Sequence, residues 1–329
     1  MGVSVIFKKL LRTVLILAVL LTPVFASAAA EGDYTSEVLA IGVGARALGM
    51  GGAFVGAATD ATAAYWNPAG LSYVDKVEIT TIHATQSSIQ TYDFFNVAFN
   101  TNKAGTYAVS YIRLSVDEIP VTNASGPTVI TTTSDIEQVF MISGGWRFAK
   151  RYAVGGTIKL LKNEVYTASA FGYGSDIGFL VKPMRQLGVG LSVRDYTGGS
   201  YLTWKNTPTN PTQKLAPSIK FGLSYMQELG KRVNSVGAQV PTSTITVNAD
   251  VDTLYVSKQL NKYHFGAEYW YRQFVALRGG FESHGLKFNK DAFAPSFGLG
   301  VWVYLMEVDY AYVNFEISPT HYLSVITRF

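Results

Sequence analysis

From Val77 to the end of the chain, apolar residues alternate with small or polar residues in many short segments. Between Leu187 and Arg194, one set of alternate positions is aliphatic and the other holds Gly, Gly, Ser and Arg. The segment from Ile219 to Tyr225 repeats this pattern. Because successive side chains of a strand point to opposite faces, each segment is predicted to be a strand with one apolar face and one small or polar face.

About fourteen such strands can be placed, most of them close to the ~9–11 residues that a tilted membrane-spanning strand needs. An even number of strands puts both ends of a barrel on the same side of a membrane, as in bacterial single-chain barrels. The predicted strands cover residues 77–88, 94–101, 105–118, 136–148, 152–165, 172–183, 187–197, 217–228, 244–255, 262–271, 274–283, 295–304, 307–314 and 320–329.

Short connections between these strands alternate with long ones, as in a barrel with tight turns on one side and larger loops on the other. The connection at 230–243 breaks this rhythm, because it is long where a short turn is expected. A soluble β-sandwich also alternates apolar and polar residues, but it would not explain the rhythm. We therefore predict an all-β fold, a transmembrane antiparallel β-barrel. The short connections lie at 102–104, 149–151, 184–186 and 272–273, and the long ones at 119–135, 198–216 and 284–294.

The first 28 residues have the three parts of a secretory signal peptide. Three basic residues precede an apolar run centred on 15–21, Pro23 ends the run, and Ala26-Ser27-Ala28 offers small residues for cleavage. The alternative is a membrane anchor, but the run is only about half of the ~20 residues that a spanning helix needs.

Composition excludes several classes of function. The chain has 27 Lys and Arg against 23 Asp and Glu, and without the three basic residues of the signal the balance is 24 against 23, so nucleic acid is not expected as a partner. No Cys is present, which excludes a lipoprotein, disulfides and Cys-based metal sites. The four His are scattered, and nothing positions a Ser, His and acid set, so no enzyme activity, cofactor or metal is expected.

Residues 29–72 are rich in Gly and Ala and show no sustained period of two. Asp60 is placed to cap a short helix over 61–66, which Pro68 would end. Small residues allow close backbone packing, as a plug inside a barrel requires. The predicted organisation is a signal peptide at 1–28, an N-terminal hatch at 29–72 in the lumen, and a transmembrane barrel at 73–329.

Two blocks of sequence carry a resemblance to a known family. The first runs from Gly44 to Val55 as GARALGMGGAFV and continues from Asp60 to Leu71 as DATAAYWNPAGL. The second is spread over the end of the chain, from Phe265 to the final strand, and is mostly typical of barrels in general. In this order the blocks resemble the PorV/PorQ family of outer-membrane proteins, relatives of the FadL-like transporters of long-chain fatty acids. The resemblance implies a barrel of about fourteen strands with an inward-folded hatch.

The resemblance also implies two functions. FadL-like members pass hydrophobic molecules through a plugged barrel, often by a lateral opening. PorV-like members serve type IX protein secretion, where they bind cargo signals and hand proteins on. The apolar hatch favours a plugged channel for uptake or passage of hydrophobic small molecules. The closer likeness to PorV/PorQ favours the alternative, a cargo-shuttle or attachment subunit whose partner is a secreted cargo protein.

The last strand is amphipathic, with Leu323, Val325 and Phe329 on one face. It resembles the terminal strand that outer-membrane assembly machinery recognises, and Phe329 is the candidate assembly signal. Thr327 departs from the family pattern, which usually has an apolar residue there. The expected location is the bacterial outer membrane, with membrane lipid and the barrel assembly machinery as partners.

The candidate site residues form two groups. Arg46 stands alone among small apolar residues, and since an unpaired buried charge is costly, we expect it to pair with a carboxylate of the barrel wall. The charges of the wall are interpreted either as a selectivity lining or as ion pairs that fill a narrow barrel. The hatch and ligand-path group is Arg46, Gly51, Gly52, Asp60, Trp66, Asn67, Pro68, Ala69 and Gly70. The lumen-lining group is Arg194, Lys220, Asp250, Glu268, Arg278 and Glu282.

Overall fold

A computed structural model describes residues 34–35, 38–85, 89–102, 104–122, 128–148, 150–195, 201–215, 217–235, 238–254, 261–284, 293–314 and 319–329. The predicted signal peptide at 1–28 lies outside these residues. Within them, no helix is long and apolar enough to cross a membrane.

The described residues form seventeen strands, two short α-helices and one 3-10 helix. The strands are β1 (Tyr34–Thr35), β2 (Val77–Thr85), β3 (Gln90–Asn100), β4 (Thr106–Thr122), β5 (Val129–Arg147), β6 (Tyr152–Val165), β7 (Ala168–Met184), β8 (Leu187–Arg194), β9 (Tyr201–Lys205), β10 (Thr212–Leu215), β11 (Ser218–Ser235), β12 (Ala238–Leu254), β13 (Asn261–Tyr271), β14 (Val275–His284), β15 (Phe293–Val303), β16 (Met306–Asn314) and β17 (Pro319–Arg328). The helices are α1 (Ala45–Leu48), α2 (Ala63–Trp66) and the 3-10 helix Pro68–Tyr73.

Fourteen of the strands, β2–β8 and β11–β17, form a closed antiparallel barrel, which confirms the predicted fold class. Each strand pairs with the next along the chain, and β17 closes the barrel on β2, with Leu323 opposite His83. The exception is β8, which pairs with β11. The intervening strands β9 and β10 form a hairpin, and β9 pairs with the N-terminal part of β7. We call the end of the barrel that carries Val77 and Arg328 the terminal end, and the opposite end the loop end.

Buried and exposed residues alternate along the barrel strands, so each strand has an inward and an outward face. In β6, Leu161 is 1% exposed and faces inward, whereas the neighbouring Leu160 is 44% exposed and faces outward. Large apolar side chains cover the outward face, including Phe140, Ile158 and Phe179. An apolar surface of this extent would be unfavourable in water, whereas it suits the lipid-facing side of a transmembrane barrel.

The connection at 230–243 is where the loop prediction was wrong. Strands β11 and β12 remain paired with each other from Ser218 to Ser235, with a bulge between Leu229 and Arg232. Their outer neighbours stop earlier, since β8 ends opposite Tyr225 and β13 ends opposite Ser243. The segment is therefore a β-hairpin that projects beyond the rest of the barrel at the terminal end. We call the described residues 226–235 and 238–242 the projecting hairpin.

Two of the predicted long loops are also shorter than expected. Strands β4 and β5 extend to Thr122 and from Val129, so much of 119–135 is paired. Strands β9 and β10 occupy part of 198–216. Both segments contain Val, Thr or Tyr at many positions, and such β-branched and aromatic side chains favour extended structure. The long loop predicted at 284–294 falls mostly on 285–292, outside the described residues.

Residues 38–72 of the hatch follow the inside of the barrel. Helix α2 begins at Ala63 rather than at residue 61, and the Asp60 carboxylate accepts a hydrogen bond from the Thr62 backbone N–H at 3.0 Å. It ends at Trp66, because a residue that precedes proline is disfavoured in the helical region. Pro68 then starts the 3-10 helix, where its missing N–H costs no hydrogen bond.

Candidate functional site

The hatch lies directly on glycines of the barrel wall. On eight strands, an inward-facing glycine is so close to the hatch that a Cβ atom added there would lie 2.2–3.2 Å from a hatch backbone atom. Ordinary contacts of this kind begin near 3.4 Å, so any larger side chain would displace the hatch. The glycines are Gly145, Gly155, Gly178, Gly188, Gly190, Gly222, Gly266, Gly280 and Gly298.

The Asn67-Pro68-Ala69-Gly70 turn is held by the wall and by the rest of the hatch. The Asn67 side-chain amide donates to the carbonyls of Val55 at 3.1 Å and Phe179 at 3.0 Å, so it ties two hatch segments to β7. Its side-chain oxygen accepts from the Ala69 N–H at 3.3 Å. A Cβ on Gly70 would lie 2.0 Å from the carbonyl oxygen of Ala58, so the turn also requires glycine there.

Arg46 connects the hatch to a buried ion network. Its guanidinium contacts Glu268 on β13 through two hydrogen bonds of 2.7 and 2.8 Å, and it lies 3.4 Å from Asp60. The expected pairing of Arg46 with a wall carboxylate is thereby confirmed. Burial by itself would lower the pKa of Arg46, but attraction to Glu268 outweighs it and holds the pKa above its ordinary value.

The network continues along the wall toward the terminal end. Arg278 on β14 contacts Glu268 at 2.7 Å, Asp309 at 2.5 Å and Glu307 at 3.1 Å. Arg328 on β17 joins Glu307 to Glu78, whose carboxylate accepts from the Ala61 N–H of the hatch at 2.7 Å. The ion pairs thus link five strands of the wall to the hatch.

Other wall side chains accept hydrogen bonds from hatch backbone that would otherwise be buried without partners. Asp250 accepts from the N–H groups of Phe54 and Val55 at 2.7 and 2.8 Å. Ser296 accepts from the Gly51 N–H at 2.9 Å. Buried backbone groups need such partners, so these residues fix the path of the hatch.

A cavity of about 160 Å³ lies between the hatch and the wall, toward the loop end. The hatch supplies its apolar side, with Leu39, Ile41, Leu48 and Trp66. Gly51 and Gly52 also line it; both have positive φ, at 65° and 74°, which other residues rarely adopt. The wall adds Met141, Leu215, Ala294 and Val313 to the apolar surface.

The cavity is also lined by a band of charged wall residues, most of which form ion pairs. Lys159 lies 2.7 Å from Asp176 and 2.6 Å from Asp195, Lys220 lies 2.6 Å from Asp252, and Lys262 lies 2.8 Å from Glu282. Arg194 stacks on the Tyr65 ring at 4.3 Å and donates to the Tyr65 carbonyl. His264 lies between this band and the hatch, with its Nδ1 2.8 Å from the Gly51 carbonyl.

The predicted site residues separate into two places. The cavity is lined by Gly51, Gly52, Trp66, Arg194, Lys220 and Glu282. The others lie where the hatch meets the wall or itself, namely Arg46, Asp60, Asn67, Pro68, Ala69, Gly70, Asp250, Glu268 and Arg278. Phe329 is exposed at the terminal end, where its N–H donates to the Val77 carbonyl at 3.0 Å.

The cavity also holds His264, Lys262, Asp176 and Asp195, which were not predicted from the sequence. The four histidines lack metal-ligand spacing, so no metal-site pattern pointed to His264. Strand alternation held a usable signal, because it puts His264 on the same inward face as Glu268.

The sequence matches no known family profile and no curated relative. The fold, however, is similar to that of solved outer-membrane transporters. It matches the Pseudomonas putida toluene transporter TodX with a TM-score of 0.61 and 12% identity, over 88% of this chain and 99% of that one. It matches the Ralstonia pickettii toluene transporter TbuX with a TM-score of 0.59 and 10% identity, over 88% and 98%. A Pseudomonas aeruginosa FadL homologue gives 0.53 and 11%, over 85% and 97%.

Proposed function

We propose that the protein is an outer-membrane channel for hydrophobic small molecules, plugged by its hatch. The observation that carries the proposal is the cavity between the apolar hatch and the wall, inside a barrel whose outward face is apolar. The fold similarity to a toluene transporter and a FadL homologue supports the same class of function.

The size of the cavity indicates the size of the ligand. Its volume of about 160 Å³ is similar to the ~150 Å³ of an engineered apolar cavity that binds benzene. A single ring or a short chain therefore fits, and a longer molecule would extend beyond the cavity. Toluene is accordingly a suitable first probe.

The hatch determines how a ligand would travel. In this proposal the terminal end faces the periplasm, as expected for an even-stranded bacterial barrel, and the loop end faces the exterior. A ligand enters from the loop end and reaches the cavity above the hatch. Because hatch backbone lies against glycines of eight strands, passage onward requires a segment of the hatch to shift or the wall to open.

The proposal also includes export by a cleaved signal at 1–28, assembly through the terminal strand with Phe329, and contact of the barrel with membrane lipid. It places the division between hatch and barrel at residue 72. It assigns the predicted hatch and lumen residues to the ligand path.

Binding of radiolabelled toluene to the purified protein tests the proposal. We expect saturable binding by the unmodified protein and its loss in Ala294→Trp, which places an indole in the cavity. Leu299→Trp is the matched control, because Leu299 lies on the outward face of the same strand and is 52% exposed. Absence of saturable binding, or equal binding by the two variants, would contradict the proposal.

The alternative, a PorV/PorQ-type subunit of type IX secretion, is supported by the resemblance of the N-terminal block. The projecting hairpin favours it further, since it offers a surface at the terminal end that a soluble protein in the periplasm could reach. Purification from native membranes separates the two proposals. Bound small hydrophobic molecules favour the channel, and a secretion partner or cargo protein favours the alternative.

A further inference from the structure

The cavity combines apolar residues with polar atoms that have no partner among the described residues. Four such buried atoms belong to its lining residues, namely His264 Nε2, Arg194 Nε, Asp195 Oδ1 and Asp252 Oδ1. The four residues are 3–8% exposed. Burial without a partner is unfavourable for each of these atoms, and a pure hydrocarbon in the cavity would offer them none.

The hydrogen bond of His264 to the hatch fixes the role of its free nitrogen. The Gly51 carbonyl can only accept, so Nδ1 carries the proton and donates to it at 2.8 Å. In the neutral ring Nε2 then presents a lone pair to a donor. In the protonated ring it would present an N–H to an acceptor. A hydroxyl group satisfies either form, because it both donates and accepts.

The charges of the lining argue against an ionised ligand. Among the described lining residues, the cations Lys159, Arg194, Lys220 and Lys262 are matched by the carboxylates Asp176, Asp195, Asp252 and Glu282. Three of the four cations already contact carboxylates at 2.6–2.8 Å. With a neutral His264, the balance leaves no excess charge to hold a carboxylate or an ammonium group.

We infer that the cavity recognises small neutral molecules that carry a hydroxyl on an apolar body, such as phenols, in preference to the matching hydrocarbons. The apolar body packs on Leu48, Trp66 and their neighbours, and the hydroxyl bonds to His264 Nε2. This inference rests on the proposed function, because it names the ligand class of the same cavity.

The test compares p-cresol with p-xylene, which differ only by a hydroxyl in place of a methyl group. Dissociation constants of both ligands are measured for the purified protein, for His264→Asn and for His83→Asn. In His264→Asn, the amide nitrogen can replace Nδ1 in the bond to Gly51, but nothing replaces Nε2. His83 is the matched control, since it is an exposed histidine on the outward face of β2.

The ratio of the two affinities is the quantity to compare, because partition into detergent is the same for every variant. We expect the preference for p-cresol to fall about tenfold in His264→Asn and to be retained in His83→Asn, since a buried group that loses its ligand partner costs about that much. An unchanged ratio in His264→Asn, with both ligands still bound, would overturn the inference and leave the proposed function standing. If neither ligand bound the unmodified protein saturably, the proposed function would fail as well.

Discussion

Replacing Gly155 by alanine should loosen the hatch without harming the barrel. A Cβ at Gly155 would lie 2.2 Å from the Pro68 carbonyl carbon, 2.3 Å from its oxygen and 2.4 Å from the Ala69 nitrogen. All three are backbone atoms, so no flexible side chain can turn away. The Asn67–Ala69 segment must therefore move away from β6 by about 1 Å to restore ordinary contact.

The cost of this movement follows from the contacts it disturbs. Forcing one methyl group into a packed interior costs about 1–3 kcal/mol. A shift of about 1 Å also stretches the 3.0 Å bond from Asn67 to the Phe179 carbonyl beyond hydrogen-bond distance, at a further ~1 kcal/mol. The closed hatch should lose about 2–4 kcal/mol relative to an open state, which corresponds to roughly 30- to 700-fold more frequent opening.

A single cysteine can report this opening, because the natural chain contains none. Ser72→Cys is suitable, since Ser72 is buried in the 3-10 helix beside the Asn67 turn and the change is nearly isosteric. The rate of maleimide labelling then follows the population of the open hatch. Mobility of unheated samples on gels reports separately whether the barrel is folded.

Gly156→Ala is the matched control on the same strand. A Cβ there would meet only the Asp176 carbonyl oxygen, at an ordinary 3.6 Å. We expect fast labelling in Gly155→Ala, slow labelling in Gly156→Ala, and folded barrels in both. Equal labelling rates would refute the argument that wall glycines hold the hatch, and an unfolded Gly155→Ala barrel would show that the hatch is needed for assembly.

Three further predictions concern the hatch and the projecting hairpin. Asn67→Ala removes the bonds to Val55, Phe179 and Ala69, which hold the hatch. The barrel should still assemble, but solutes should leak faster through liposomes that contain it. Complete loss of assembly would contradict this prediction. Arg46→Met should destabilise the closed hatch by about 3 kcal/mol, the lower end for breaking a buried ion pair. The cost is at the lower end because Glu268 keeps its contact with Arg278 and the Arg46 side chain is 21% exposed. If the cysteine of Ser72→Cys were labelled as slowly with Arg46→Met as without it, the prediction would be wrong. Replacing the projecting hairpin by a tight turn should leave the heat-modifiable gel mobility of the barrel unchanged. Beyond Tyr225 and Ser243, the two strands of the hairpin pair only with each other among the described strands. A barrel that no longer folds would show that folding depends on the hairpin.

The strands could be predicted from the sequence because alternation is a local property. Every barrel strand overlaps a predicted segment, and the inward glycines at 188 and 190 already appear in the alternating run from Leu187. The projecting hairpin was missed because its alternation is weaker and it interrupts the expected short turn. Prediction from loop rhythm fails where a hairpin extends past its neighbours.

The candidate site could be predicted only in part, because alternation gives the face of a residue but not its depth in the barrel. Lys220 and Asp250 both face inward, yet Lys220 lines the cavity and Asp250 binds hatch backbone below it. The pairing of hatch backbone with wall glycines depends on contacts between residues far apart in sequence. His264 and Gly51, for example, are 213 residues apart.

The central claim is that a hydrophobic small molecule passes through this barrel by way of the cavity. It is tested most directly by the rate at which radiolabelled toluene enters whole cells that carry equal amounts of folded protein in the outer membrane. We expect cells with the unmodified protein or Leu299→Trp to take up toluene faster than cells with Ala294→Trp, whose uptake should match that of cells without the protein. Equal uptake by all four kinds of cell would contradict the claim.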